Sequence, residues 1–377
     1  MNFYWPFCYL FLFLLLFLIL FNQNTYSFPE NIRHGYSNCT SCHYSPSGGG
    51  LITPYGRELS REMLSTWGKE GSEVQPLYGI IKRPVWLDFG GDLRVVQIYR
   101  DNPFIEEAKI IPMQFDVEAI AMLKNYSLVA TIGPMHKLNK KTSEFEIGSR
   151  RHYVMAKLSN LFILRAGKFM PNLGINTADH IIATKRGLNF DEGSETYNIE
   201  LSYISSKLNI FTTGVFGDPS EKEIKRDKGG TLNISYAFLN RFKIGGSYFY
   251  GYNENYKRNI MGSYAILGIT EKLYLLSEWD FQKINYQNVT AKNNKWGILT
   301  YNKVGIEALK GFHIVFTYDK AKADLTDDLS RIYSFGPGLI WYPRPHYELA
   351  FSWLKQKTSM VSNELTDYAW LMIHVYL

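Results

Sequence analysis

Along most of the chain, apolar and polar residues alternate one by one. The stretch "FGGDLRVVQIYR" places Phe89, Leu93 and Val95 on one side and Asp88, Asp92 and Arg94 on the other. "MQFDVEAIA" sets Met113, Phe115, Val117 and Ala119 against Gln114, Asp116 and Glu118, and "LYLLSEWDFQ" sets Leu275, Trp279 and Phe281 against Glu278, Asp280 and Gln282. A period of two is that of a β-strand, and ionised groups along one face mean that this face is wet. From Pro84 to Leu377 the pattern predicts strands near 85–100, 108–123, 126–137, 144–158, 160–171, 194–206, 207–218, 229–239, 240–252, 259–270, 271–285, 295–309, 311–323, 331–342, 345–357 and 366–377.

The connections between these strands fall into two alternating classes. Tight ones, such as Lys124-Asn125, Ser159, Lys310 and Pro343-Arg344, take turns with long polar ones such as "KLNKKTSE", "PSEKEIKRDK" and "DLTDDLS". That alternation, an even count of about sixteen and strands long enough to cross a bilayer predict an all-β chain. Its fold class is a transmembrane antiparallel β-barrel, with the tight turns and both termini at the periplasm. A soluble sandwich or propeller also has short strands, but not this strand length, nor an amphipathic final strand "YAWLMIHVYL" that runs to the last residue. The longest connection, Pro171 to Glu195, follows the fifth strand. It lies where the third external loop of sixteen-stranded porins folds into the pore, which predicts a constriction bringing Asp179, His180, Lys185 and Arg186 towards the lumen.

Composition narrows the setting. Aromatics make up 16% of the chain, and the net charge of +6 is spread without a basic run, so nucleic acid is not an expected partner. The unbroken apolar run Phe3 to Phe21, followed by Thr25-Tyr26-Ser27, reads as an export signal covering residues 1–27, although it contains no Lys or Arg. Residues 28–75 then form a separate N-terminal segment and residues 76–377 the barrel. Among possible anion-attracting groups, Arg150, Arg151, Arg165 and Lys168 are opposed by the lumen acids Asp92, Asp116, Glu118, Glu278 and Asp280.

The sharpest local motif is "CTSCH". Cys39 and Cys42 supply two thiols, and His43 an adjacent imidazole, at the C-x-x-C-H spacing of covalent haem attachment. A redox-active disulfide is one alternative, without a thioredoxin-like βαβ pattern to accompany it. Zinc is another, but lacks a fourth ligand. The motif therefore predicts one covalent haem c, with Cys39 and Cys42 as thioether anchors and His43 as proximal iron ligand. For the sixth position Met63 competes with His34, and with an open or barrel-supplied site. Thr53-Pro54 is a helix start, and it places Tyr55, Leu59, Met63 and Trp67 on one stripe.

The stretch "FPENIRHGYSNCTSCHYSPSGGGLITPYGR", Phe28 to Arg57, with the barrel behind it, resembles the fused outer-membrane cytochrome-porins, among them the outer-membrane iron-oxidising monohaem cytochromes. The likeness rests on Pro29, Cys39 to His43 and Pro54 to Arg57. It implies a haem segment at the periplasmic side or within the lumen of a bacterial outer-membrane barrel. Its expected role is electron transfer between an extracellular donor or acceptor such as Fe(II) and a periplasmic electron carrier, with iron(II) oxidation as the activity the resemblance suggests. The alternative is a diffusion porin for small solutes with a structural or sensory haem. Outer-membrane lipid is the expected surrounding, and a homotrimer is left open.

Overall fold

The computed structural model of the protein describes residues 29–68, 75–136, 145–179, 181–219, 227–287, 294–361 and 364–377. The expected export signal and His180 lie outside the described residues. Strand segments β1 (Leu87–Asn102), β2 (Ile105–Leu123), β3 (Tyr126–His136), β4 (Phe145–Gly148), β5 (His152–Lys157) and β6 (Phe162–Phe169) come first. Then follow β7 (Thr196–Ile204), β8 (Leu208–Val215), β9 (Lys228–Phe238), β10 (Phe242–Tyr252), β11 (Tyr256–Gly268) and β12 (Leu273–Tyr286). The last are β13 (Asn294–Leu309), β14 (Phe312–Lys322), β15 (Arg331–Trp341), β16 (Tyr347–Thr358) and β17 (Thr366–Tyr376).

Every pairing is antiparallel, and β1 pairs with both β2 and β17, so the sheet closes on itself and leaves no edge. Segments β4 and β5 both lie against β3, at Gly133–His136 and Tyr126–Ala130 respectively. Between them the Thr131 amide donates to the Arg151 carbonyl at 2.7 Å, so the two segments are one barrel strand kinked at Ser149–Arg151. The barrel has sixteen strands, the number expected, and the predicted strand 144–158 is the kinked one.

Alternation explains why this sheet curls into a barrel with a polar inside. On β12, Glu278, Asp280 and Gln282 are buried whereas Trp279 and Phe281 are each 45% exposed. On β2, Gln114, Asp116 and Glu118 are buried while Phe115 and Val117 face outward. Polar inward and apolar outward is the arrangement that hydrocarbon surroundings require. Among the described residues no helix is long and apolar enough to cross a membrane.

The lumen is not empty. Residues 29–68 fold into it as a chain of short turns: a 3-10 turn at Pro29–His34, another at Cys39–Ser41, and the helix α1 (Pro54–Leu59), which continues through a wider turn at Ser60–Leu64. Thr53 caps α1 as expected, its Oγ1 accepting from the Gly56 amide at 3.1 Å, with Pro54 in the first turn. A Cβ on Gly56 would stand 2.5 Å from the Cys42 carbonyl oxygen, so only glycine lets α1 lie on the Cys39–Cys42 turn. The packed face of the helix is Gly56, Arg57, Leu59, Ser60 and Leu64. Of the predicted stripe only Leu59 belongs to it: Tyr55 and Trp67 are exposed and Met63 is half-buried, and Trp67 lies past the end of the helical path, where Ser65 is extended.

The long loop between β6 and β7 also turns inward. Ile32 of the N-terminal segment packs with Ile175 and Ile182 of this loop and with Tyr264, Tyr274 and Tyr301 of the wall. Burying a side chain such as Ile32 contributes about 2 kcal/mol, so this shared cluster holds segment, loop and wall as one body.

Candidate functional site

The N-terminal segment is tied to the ends of strands that meet in the short turns. Gly268, at the end of β11, leaves so little room that a Cβ there would come within 2.4 Å of the Arg33 backbone. Arg33 reaches Glu307 of β13 at 3.0 Å. The Asn38 carboxamide donates to the Ser205 carbonyl at 2.8 Å, and Lys243 donates to the Ser37 carbonyl at 3.0 Å. Further along, the Thr66 and Trp67 amides donate to the Tyr342 and Pro343 carbonyls. These contacts lie on several sides of the barrel, so the segment crosses the lumen at its short-turn end.

Its strongest tie is Arg57. The guanidinium forks onto Asp88 of β1 at 3.0 and 3.2 Å and donates also to the Phe89 carbonyl, with both side chains essentially sealed from solvent. Tyr44 donates to the same carboxylate at 2.7 Å. Higher in the lumen the Leu51 amide donates to Glu118, and Arg165 holds the tip by donating to the Ser45 and Ser47 hydroxyls while pairing with Glu200 at 2.8 Å. Charge-assisted, bidentate bonds of this kind are the strong ones.

Opposite the tip stands the constriction loop. The Ile175 amide donates to Glu278 and the Ala183 amide to Asp319, pulling the loop onto β12 and β14. Asp179 receives Lys303 at 3.0 Å and also the Tyr301 hydroxyl. Lys185 turns back to the Leu173 carbonyl, and Arg186 is exposed. Asn176 donates to the Ser47 carbonyl at 2.6 Å, so loop and N-terminal tip touch.

Between them lies a space of 1810 Å³, partly open to solvent. Nine carboxylate side chains and five from Lys or Arg line it, an excess of negative charge. The cations that pointed to anions do not stand free: Arg150 pairs with Asp116, Arg151 with Glu118, Arg165 with Glu200 and Lys168 with Asp218, all within 3.2 Å. Carboxylates thus outnumber cations along the lining, and each of these four cations has a carboxylate partner.

Of the residues singled out by the C-x-x-C-H spacing, Cys39 is half-buried and lines this space, and Cys42 is completely buried beneath α1. His43 also lines it, its Nδ1 lying 3.3 Å from the Gly50 carbonyl oxygen, and burial pushes the imidazole down to about 4. His34 and Met63 do not line it: His34 sits beside Arg33 towards Glu307 and Glu271, and Met63 lies past α1. Sequence reasoning found the constriction loop and Asp179 but missed Arg33, Asn38, Lys243 and the Arg57–Asp88 fork.

Three solved structures fix the fold. The outer membrane channel DcaP of Acinetobacter baumannii superposes with a TM-score of 0.57 at 11% identity, over 77% of this chain and 97% of that one. A loop L8 deletion mutant of OmpT, an outer membrane protein of Vibrio cholerae, gives 0.59 at 8% identity over 77% and 99%. Salmonella typhi OmpF, solved with daunomycin, gives 0.53 at 10% identity over 77% and 97%. The fold is that of the outer-membrane porins. No protein-family model matches the chain, and no curated protein matches it.

This finding corrects the expected cytochrome-porin. The similar barrels include an outer membrane channel and a structure described as a porin, and among the described residues no group of three or more His, Cys, Asp or Glu side chains is placed to hold a metal. Physically, the expected donors are not gathered round one space, since Cys42 is sealed and neither Met63 nor His34 faces the cavity that His43 lines. Haem c as cofactor, iron(II) oxidation, and electron transfer between an extracellular donor and a periplasmic carrier fall with it.

Proposed function

We propose that the protein is a channel of the bacterial outer membrane for small polar solutes, favouring cations, with the N-terminal segment narrowing its periplasmic mouth. The observation that carries this reading is the acid-rich space between loop and segment, whose neighbouring cations are bound to carboxylates. A lumen with excess negative charge concentrates cations and repels anions. Liposomes loaded with the purified protein should swell faster in a small cationic solute than in an anionic one of equal size. Equal rates, or no swelling beyond that of empty liposomes, would contradict the proposal.

The same proposal includes the division of the chain into an export signal at 1–27, a segment at 28–75 and the barrel at 76–377. An N-terminus at Phe28 in the mature protein is its test. It also includes a homotrimer. One OmpT structure of this fold is described as a trimer form, at 9% identity, and the mass of the detergent-solubilised particle decides the matter here.

A further inference from the structure

A solute channel leaves the Cys-Thr-Ser-Cys turn without a role. We infer that Cys39 and Cys42 form a thiol–disulfide exchange site in the lumen, Cys39 attacking and Cys42 resolving, with a small disulfide as oxidant. The inference does not depend on the channel reading.

Geometry comes first. The amides of Cys42 and His43 both donate to the Cys39 carbonyl, at 3.2 and 2.9 Å, winding the pair into a 3-10 turn. In such a turn side chains three apart eclipse and the rise is about 2 Å per residue, so the two Cα atoms stand about 6 Å apart, within the range that a disulfide spans. Access is unequal. Cys39 lines both the 1810 Å³ space and a neighbouring one of 590 Å³, whereas Cys42 is fully buried. Lys243, which donates to the Ser37 carbonyl at 3.0 Å, fixes the backbone just before Cys39.

The chemistry then balances without a further reactant. The Cys39 thiolate attacks one sulfur of the incoming disulfide, forming a mixed disulfide and releasing one thiol. The Cys42 thiolate attacks the Cys39 sulfur, closing the Cys39–Cys42 bond and releasing the second thiol. The protein is oxidised by two electrons and the incoming disulfide reduced by two. The mixed disulfide would crowd Gly48 and Asn176, since a Cβ on Gly48 already meets the Cys39 Sγ at 3.1 Å and Asn176 at 3.2 Å. Oxidation therefore bears on the contact between N-terminal tip and constriction loop.

The test uses the full-length protein purified from membranes, reduced with dithiothreitol, freed of reductant and treated with dithiodipyridine. The site predicts release of two thiopyridones per chain with no retained adduct, and an intact mass lower by two hydrogens. Cys42→Ser should retain one stable adduct, and Cys39→Ser should react at least about tenfold more slowly than Cys42→Ser, because the remaining thiol is buried. Heat-modifiable migration checks that each variant has folded, and the wild-type stoichiometry decides the question without either. No release after reduction, a wild-type adduct that persists, or a mass gain at the two cysteines that reductant does not remove would each overturn the inference.

Discussion

Replacing Arg57 with Ala removes the guanidinium from a carboxylate that is otherwise buried. With the N-terminal segment seated, Asp88 would keep Tyr44 at 2.7 Å and Arg83 at 3.6 Å but lose its forked partner. Breaking one side of a buried pair costs about 3–5 kcal/mol. That cost falls on the seated state alone, because water reaches Asp88 once the segment has left the mouth. At about 1.4 kcal/mol per tenfold, the unseated population rises between about a hundredfold and several thousandfold. Proteolysis follows the open population when opening is fast relative to cleavage. Limited digestion of the detergent-solubilised protein should therefore cut between residues 29 and 68 at least about a hundredfold faster in Arg57→Ala. The barrel should keep its heat-modifiable migration. An unchanged cleavage rate, or loss of the barrel together with the segment, would refute the assignment of Arg57 as the latch.

Other perturbations read different ties. Gly268→Ala drives a Cβ into the Arg33 backbone, so the first turn of the segment should come away and tryptic cleavage at Arg33 should appear under native conditions. Arg165→Ala leaves Glu200 buried without its cation, a loss of about 3–5 kcal/mol, which should lower the temperature at which folded migration is lost. Acid should unseat the segment. Burial holds both His43 and His346 down to about 4 against an ordinary 6.5, so their contribution is complete above 6.5 and is lost as pH falls towards 4. Cleavage within 29–68 should rise across that window, and His43→Gln should flatten the rise. Asp179→Asn weakens the clamp on Lys303, and single-channel current noise should increase as the constriction loop loosens.

The barrel was legible because its signal is local and repeated. Each strand shows its own alternation, as in Glu278, Trp279, Asp280 and Phe281, and each turn its own chemistry, so errors stayed within a few residues and did not accumulate. The kink at Ser149–Arg151 escaped because it preserves the inward side of Asp116's partner Arg150 and interrupts only the ladder. The N-terminal segment was different. Asn38 meets Ser205, Lys243 meets Ser37 and Ser60 meets Tyr376, contacts across more than a hundred residues that no short pattern encodes. The haem expectation failed for a related reason: C-x-x-C-H specifies three residues, whereas a haem site depends on what the distant wall brings to face them. Here the wall brings Glu118, Arg151 and the constriction loop.

The proposed channel conducts and prefers cations. Recording the purified protein in a planar bilayer under a tenfold potassium chloride gradient tests this directly. It predicts discrete conductance steps whose reversal potential shifts towards that of potassium, with larger steps in Arg57→Ala. Silent insertions, or a shift towards the chloride potential, would contradict it.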